Sequence, residues 1–170
     1  MKKYIIGVAL ALIVLGCKTS GNITKNASSD YRPNLHFSPE KNWANDPNGL
    51  VYLDGEYHLF YQYNPFGDLW GHMSWGHAIS KDLKKWEELP VAIPEKKNAD
   101  GTTTMIFSGC AVIDSLNTSG FFDEGYKKGM VAIFTSHVDN KGMGMAQHQS
   151  LAYSNDKGRT WKLYEKNPVL

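Results

Sequence analysis

The chain has 170 residues and is poor in cysteine, in surplus charge and in long apolar runs. Its two cysteines exclude a framework of several disulfides, so stability has to come from packing. The formal net charge is only +1, from 18 basic and 17 acidic residues, which excludes the basic surface that nucleic-acid binding requires. A hydrophobic content of 42% is nonetheless sufficient for a packed domain. A neutral ligand is the default expectation.

The longest apolar run lies at the very start, in MKKYIIGVALALIVLGC, where two lysines precede it. A charged start and an apolar run too short for a comfortable membrane span are typical of a secretory signal peptide. The small residue before Cys17 resembles a bacterial lipobox, which predicts a signal peptide over residues 1–16 and lipid attachment to Cys17. An ordinary signal peptide with an incidental cysteine is the alternative. We expect an exported lipoprotein, on the periplasmic or the outer face of a membrane.

The next segment, residues 17–31, is small, polar and without periodicity, which predicts a flexible tether. The folded domain is therefore expected to cover residues 32–170. If Cys17 carries lipid, Cys110 has no partner within the chain. Because Cys110 lies in the apolar stretch MIFSGCAVI, we expect it to be a small buried side chain.

Short apolar or alternating segments, separated by turn residues, fill the chain from Arg32 onward. Two of them flank Asp54-Gly55, which is the strongest local indication of a β-hairpin. No stretch shows a sustained helical stripe, so the sequence predicts an all-β, antiparallel fold. The predicted strand segments are GLVYL, EYHLFYQY, SWGHAIS, TMIFSGCAVID, GMVAIFTSH and HQSLAYS.

One internal repeat carries information about architecture. The segment SKDLKKW at residues 80–86 returns as SNDKGRTW at residues 154–161, each time after a strand segment that ends in Ala-x-Ser. Such a repeat predicts successive blades of a β-propeller, with about two blades in this chain. Asp82 and Asp156 are expected to accept hydrogen bonds within turns, and the tryptophans to pack beneath them.

The segment WANDPNG, residues 43–49, places a carboxylate among amides and a tryptophan. Pro47 biases Asp46 towards an extended conformation, and Asn48-Gly49 predicts a turn, so Asp46 is expected at the start of a hairpin. An ordinary turn residue is the alternative. The stretch FYQYNPFGDLWGHMSWGHA follows, and its aromatic and amide side chains suit the binding of a neutral carbohydrate.

From His36 to the end, ordered motifs are similar to those of glycoside hydrolase family 32, the invertase, inulinase and levanase group. They include HFSPEKNWANDPNG, FYQYNPF, SWGHAISKDLKKW, MIFSGCAV and NTSGF. The resemblance implies a five-bladed β-propeller followed by a β-sandwich, of which this chain holds roughly the first two blades. It also implies hydrolysis of sucrose or a fructan, levan or inulin, at terminal β-fructosyl units with retention, and no metal or other cofactor.

By this resemblance, Asp46 corresponds to the nucleophile that attacks the anomeric carbon of fructose. A retaining mechanism also needs a second carboxyl group about 5 Å away, which protonates the leaving oxygen. Ala44 departs from the family, which commonly has a bulkier residue there. The positions that match the lining of the terminal-fructose pocket are Asn45, Gln62, Trp70, Phe107 and Ser108.

Two motifs expected from the family, Arg-Asp-Pro and a Glu-Cys pair with the acid/base, are absent from the sequence. Glu56, Asp68 and Asp114 are not expected to replace the missing acid, so the chain is interpreted as the N-terminal part of a longer enzyme. A non-catalytic, fructan-binding surface lipoprotein, an inactive fragment and an inverting arabinan-type hydrolase stay open as alternatives. The six histidines include no HExxH spacing, so no metal site is predicted.

Overall fold

Strands joined by turns make up the described part of the chain. In a computed structural model, residues 32–33, 35–123 and 128–170 are described. No helix that could cross a bilayer occurs among them. The predicted signal peptide and tether lie outside the described residues. The strands are β1 (Ala44–Leu53), β2 (Glu56–Tyr63), β3 (Ser74–Ser80), β4 (Glu87–Ile93), β5 (Lys96–Lys97), β6 (Thr103–Asp114), β7 (Gly129–Asn140), β8 (Met143–Ser154) and β9 (Lys162–Leu163).

The strands form two antiparallel sheets in which neighbours in sequence are neighbours in space. The first sheet has the order β1-β2-β3-β4 and the second β5-β6-β7-β8-β9. Every predicted strand segment lies within one of the longer strands, which confirms the all-β prediction. Asp54 and Gly55 join β1 to β2 with φ angles of 47° and 88°, the positive values that a two-residue hairpin of type I′ needs.

Three strands were not predicted. β4 contains Pro90, which has no N–H to donate, and it is tolerated because β4 lies at the edge of its sheet. β5 and β9 have two residues each, too few to show a pattern in the sequence. Strand prediction therefore failed for one edge strand that contains a proline and for two strands of two residues.

A hydrophobic core lies where the two sheets pack together. Phe60 and Trp75 from the first sheet have ring centroids 5.7 Å apart, and the ring of Trp75 lies 6.0 Å from that of Phe134 in the second sheet. All three side chains are fully or almost fully buried. Because burial of one large apolar side chain contributes about 1.5–3 kcal/mol, these aromatic contacts hold the sheets against each other.

Both copies of the internal repeat form the predicted turns. Asp82 accepts hydrogen bonds from the backbone N–H groups of Lys84 and Lys85, at 2.9 and 2.8 Å, between β3 and β4. Asp156 accepts from the N–H of Thr160 at 2.9 Å between β8 and β9. The repeat is therefore structural, and each copy links the last two strands of its sheet.

The prediction of a buried Cys110 is wrong, because its side chain is exposed. Successive residues of a strand point to opposite faces, and the neighbouring Ala111 is the one that faces the core. Cys110 shares the outer face of β6 with Val112, which is 56% exposed. Apolar residues of MIFSGCAVI therefore lie on both faces of the strand. The sequence alone did not show which of them face the core.

Two buried histidines lie in contact within the first sheet. His58 Nδ1 and His77 Nε2 are 3.1 Å apart, and the ring of His77 stacks on Phe60 at 4.3 Å. Burial lowers the pKa of His58 to about 4 and that of His77 to about 3. The charge of Arg159 acts in the same direction on both rings. The folded protein therefore holds this pair in its neutral form.

Stability should fall as the pH decreases from 7 to 5.5, where most carboxylates are ionised in both the folded and the unfolded state. Unfolded histidines take up protons near pH 6.5 and the buried pair does not, so the free energy of unfolding should lose at most about 1.4 kcal/mol per pH unit for each histidine. Urea unfolding at several pH values measures this slope. His58→Gln should reduce it and His36→Asn, at an exposed position, should not; a flat profile in the parent protein would contradict the prediction.

Candidate active site

The segment WANDPNG does not form the predicted tight turn, because Ala44 to Gly49 lie within β1. Asn45 pairs with Gln62 and Pro47 pairs with Tyr61, so Asp46 is an extra residue without an opposite partner. Such a β-bulge bends the strand and redirects a side chain, and bulges are frequent next to active sites. Pro47 is tolerated there because β1 is an edge strand of its sheet. The bulge leaves the Asp46 side chain exposed.

A second bulge lies in β6. Ile106 pairs with Ser136, and the next paired residue is Gly109 opposite Phe134, so β6 has one residue more than β7 between these pairs. The bulge therefore carries Phe107 and Ser108. A side chain at Gly109 would collide with the carbonyl oxygen of Ile133, which explains the glycine there.

The two bulges face each other because β1 packs against β6. A Cβ atom on Gly49, whose φ is +40°, would lie 2.8 Å from the Cβ of Ala111. Asn48 is buried, and its Oδ1 accepts a hydrogen bond from the N–H of Gly109 at 3.3 Å. Ser108 Oγ donates to Asp46 Oδ2 at 2.7 Å. Ser108 and Asp46, which are 62 positions apart in the sequence, are thus joined in one site.

Hydrogen bonds keep the Asp46 carboxylate ionised. The hydrogen bonds from Ser108 and Asn45 lower the pKa of Asp46 below its ordinary value, and the bond from Ser108 has the larger effect. Trp43 Nε1 donates to Asn45 Oδ1 at 2.8 Å, which leaves the amide NH₂ of Asn45 for the carboxylate. An ionised, solvent-accessible carboxylate is the state that a nucleophile requires.

Gln62 fixes the strand that carries Ser108. Its side chain is 2% exposed, and Nε2 donates to the carbonyl oxygen of Ile106 at 3.0 Å. Trp75 Nε1 donates to the next carbonyl, that of Phe107, also at 3.0 Å. Side chains of the first sheet therefore hold two successive carbonyls of β6. This positioning contact was not predicted, and the role of Gln62 in sugar binding stays a prediction.

Trp70 and Phe107 border the site with aromatic surface. Their ring centroids lie 6.2 Å apart at an angle of 70°, and Trp70 is 55% exposed. The loop that carries Trp70 is held by Asn64, whose Nδ2 donates to the carbonyl of Leu69 at 2.8 Å. His137 stacks on Phe107 with ring centroids 4.5 Å apart. Sequence reasoning considered His137 only as a metal ligand and missed this stack.

The other carboxylates considered for catalysis are placed differently. Glu56 begins β2, six residues from Gln62, so it lies about 20 Å along the strand from the Asp46 end. Asp114 ends β6, six residues from Ser108, and accepts the N–H of Thr118 and that of Ser119, both at 2.9 Å. Asp68 is exposed in the loop of Trp70.

Within the described residues, none of the hydrogen bonds or ion pairs of Asp46 involves a second carboxyl group. No group of three His, Cys, Asp or Glu side chains that could hold a metal ion occurs there either. The part of the site that the structure describes therefore consists of one ionised carboxylate, its donors and an aromatic border.

Two antiparallel meanders of four and five strands pack together, with the site where β1 meets β6, and this arrangement defines the class of the fold as a β-propeller. Its solved neighbours are five-bladed propeller enzymes, of which this chain covers the N-terminal part, and the propeller prediction is confirmed. The glycosyl hydrolases family 32 N-terminal domain matches residues 36–170, and the chain belongs to this family.

Similar proteins include the levanase of Bacillus subtilis, which is 53% identical over 174 residues, covering 100% of this chain and 24% of the levanase. The extracellular exo-inulinase of Aspergillus awamori is 51% identical over 154 residues, covering 85% of this chain and 28% of the inulinase. The crystal structure of exo-inulinase from Aspergillus awamori has a TM-score of 0.74 at 51% identity, with 82% of this chain and 29% of that chain covered. A structure of β-fructofuranosidase from Schwanniomyces occidentalis, complexed with fructosyl-erythritol, has a TM-score of 0.71 at 44% identity, with 82% and 26% covered.

The chain therefore spans about a quarter of the length of the curated relatives it matches.

Ser108→Ala should raise the pKa of Asp46, because the largest contribution to its lowering is the Ser108 hydrogen bond. A ¹³C NMR titration of the Asp46 carboxyl group measures the change. Ser115→Ala, at an exposed position in the same half of the chain, is the matched control. An unchanged titration in Ser108→Ala would contradict the assignment of this hydrogen bond.

Proposed function

We propose that the polypeptide carrying this chain hydrolyses terminal β-fructofuranosyl units of a fructan, levan or inulin, or of sucrose, and that Asp46 is its nucleophile. Similarity to a levanase and an exo-inulinase supports the substrate class. The observation that carries the role of Asp46 is its place on a bulge, exposed and hydrogen-bonded to Ser108 at 2.7 Å. Asn45 is a further hydrogen-bond partner of Asp46, and the rings of Trp70 and Phe107 supply aromatic surface next to Ser108. Gln62, behind them, stays a predicted sugar-binding residue.

In this mechanism the Asp46 carboxylate attacks the anomeric carbon of the terminal fructose. The bond to the leaving oxygen breaks as a covalent fructosyl-enzyme forms, and water then releases fructose with retention. Ser108 and Asn45 keep Asp46 ionised and hold its orientation. A second carboxyl group about 5 Å away has to donate the proton to the leaving oxygen. We infer that this acid comes from blades other than the two described here.

Uncovered apolar side chains on both outer faces support further blades. Leu50 and Tyr52 on β1 are 62% and 57% exposed. On the second sheet Val112 and Ile133 are 56% and 36% exposed. In a closed propeller each blade buries such faces against its neighbours.

A non-catalytic fructan-binding protein is the second candidate. One observation favours it: the described residues bring no second carboxyl group to Asp46. The same border of amides and aromatic rings would bind a terminal fructose without cleaving its linkage. The two candidates differ in turnover and not in binding.

Asp46→Asn, made in the complete polypeptide encoded by the gene, separates these candidates. Loss of the attacking carboxylate should lower kcat on sucrose and on fructans by at least about 10⁴-fold, while binding of the substrate persists. Asp68→Asn, in a neighbouring exposed loop, is the matched control and should keep the parent rate. Turnover by Asp46→Asn near the parent rate would contradict the nucleophile assignment. A parent protein that binds fructans without turnover would support the binding function.

We also propose that the protein is an exported, lipid-anchored lipoprotein, with residues 1–16 removed and Cys17 acylated. The sequence of the first 17 residues supports this proposal. Two or more acyl chains give stable anchoring, since each buried methylene contributes about 0.8 kcal/mol.

Cys17→Ala should abolish this anchoring. The expected result is loss of the protein from the membrane fraction and loss of the acylated N-terminal peptide in mass spectrometry. Cys110→Ala is the matched control and should leave both unchanged. An uncleaved or unlipidated N-terminus in the parent protein would contradict the proposal.

A further inference from the structure

The bulge of β6 interrupts the regular ladder between β6 and β7. At this point β6 has two residues, Phe107 and Ser108, where β7 has one. Backbone groups that leave a ladder inside a protein need other partners. The first sheet supplies them, beginning with the carbonyl of Met73, which accepts the N–H of Ile106 at 2.8 Å. The bulge is therefore held from the neighbouring sheet as well as from its own.

Two side chains of the first sheet hold the peptide groups on either side of Ser108. Trp75 Nε1, from β3, donates at 3.0 Å to the carbonyl of Phe107, which belongs to the peptide group before Ser108. Asn48 Oδ1, from β1, accepts at 3.3 Å from the N–H of Gly109, which belongs to the peptide group after it. Because each peptide group is planar, fixing both sets the φ and ψ angles of Ser108 and the direction of its Cα–Cβ bond.

Packing fixes the position of the Trp75 donor. The side chain is completely buried, and its ring lies between Phe60 at 5.7 Å and Phe134 at 6.0 Å, measured between ring centroids. Phe134 is itself the residue of β7 opposite Gly109, next to the bulge. A buried indole N–H needs an acceptor, and the one it has is the carbonyl of Phe107. The indole thus joins the hydrophobic core to the backbone of the bulge.

Asn48 is a buried amide with a single hydrogen bond. The side chain is 4% exposed, and within the described residues its Nδ2 has no hydrogen-bond partner. A buried polar group without a partner destabilises a fold, and an apolar side chain of similar size would avoid this cost. The contact that an apolar side chain could not make is the one with the N–H of Gly109. The amide at position 48 is therefore explained by its hold on the bulge.

We propose that Trp75 and Asn48 are positioning residues for the nucleophile, which fix the backbone on both sides of Ser108 so that its hydroxyl stays directed at Asp46. The inference rests on the proposed function. Neither side chain is among the hydrogen-bond partners of the Asp46 carboxylate, so both act through Ser108.

The geometry of the Ser108 hydroxyl is sensitive to such a hold. Its Oγ lies 2.7 Å from Asp46 Oδ2, and a hydrogen bond of this kind weakens steeply as its distance or angle departs from the optimum. This bond has the largest effect on the pKa of Asp46, which it lowers. A small rotation of the backbone at Ser108 would therefore raise that pKa and release the orientation of the carboxylate.

Two variants of the complete polypeptide encoded by the gene remove one hold each. Trp75→Phe keeps an aromatic ring and loses the N–H, and Asn48→Leu keeps the approximate size and loses the acceptor. Trp161→Phe is the matched control, because it removes an indole N–H, bonded to the carbonyl of Gly158 at 3.0 Å, from a ring packed on the same core. The readouts are kcat/KM on sucrose and the ¹³C NMR titration of the Asp46 carboxyl group, whose signal is absent from Asp46→Asn. Thermal unfolding checks the fold of every variant.

Both variants should raise the pKa of Asp46, as Ser108→Ala does, because the hydroxyl is no longer held in place. Both should also lower kcat/KM by about five- to tenfold, the effect of losing one well-placed hydrogen bond. In a Ser108→Ala background neither variant should change the titration of Asp46 further, because each acts through that hydroxyl. The control Trp161→Phe should leave the titration and kcat/KM unchanged.

An Asp46 titration that is unchanged in both folded variants would overturn this inference. A further change of that titration in the Ser108→Ala background would also overturn it, because the effect would then bypass the hydroxyl. Either result leaves the proposed function standing, since that function is decided by the turnover of Asp46→Asn. Turnover by Asp46→Asn near the parent rate would overturn the proposed function and this inference with it.

Discussion

The contact between β1 and β6 is the constraint on which the site depends. Each strand belongs to a different sheet, and each carries a bulge close to the contact, at Asp46 in β1 and at Phe107-Ser108 in β6. Gly49 allows this approach because a side chain there would collide with Ala111 of β6, while Gly109 leaves room for the backbone of β7 beside the β6 bulge. Asp46 and Ser108 then meet at hydrogen-bond distance. If either bulge were removed, the residues after it would exchange faces and the pair would separate.

This arrangement explains why the motif residues play unequal parts. Asp46 and Ser108 are the groups that the bulges redirect. Asn48 is buried and joins β1 to the backbone of β6, while Gln62 holds the carbonyl of Ile106. Polar side chains that resemble sugar ligands in the sequence therefore also position the strands, since buried amides require partners.

The site lies at one end of the sheets. The hydrophobic core and the polar turns towards the other end support it. Stacking of His77 on Phe60 links the neutral histidine pair to the main core. Trp161 packs against that core and donates from Nε1 to the carbonyl of Gly158 within the second turn. Arg159 in the same turn donates to Glu56 at 2.9 Å, which ties the second sheet to the first. The strands can thus carry an exposed, bent segment because their remaining lengths are tightly packed.

The sequence by itself determined six of the seven strands that have at least seven residues, the hairpin at Asp54-Gly55 and both repeated turns. Alternation, Asp-Gly and the Ser-x-Asp pattern each act over a few neighbouring residues. Motif order also indicated the family and singled out Asp46. Only the tertiary structure decided that WANDPNG is a bulged strand, that Cys110 is exposed and that His137 extends the aromatic border. Strand register and the face to which each side chain points depend on how the sheets pack, and no local pattern encodes them. The same holds for contacts between residues 62 positions apart, such as Asp46 and Ser108.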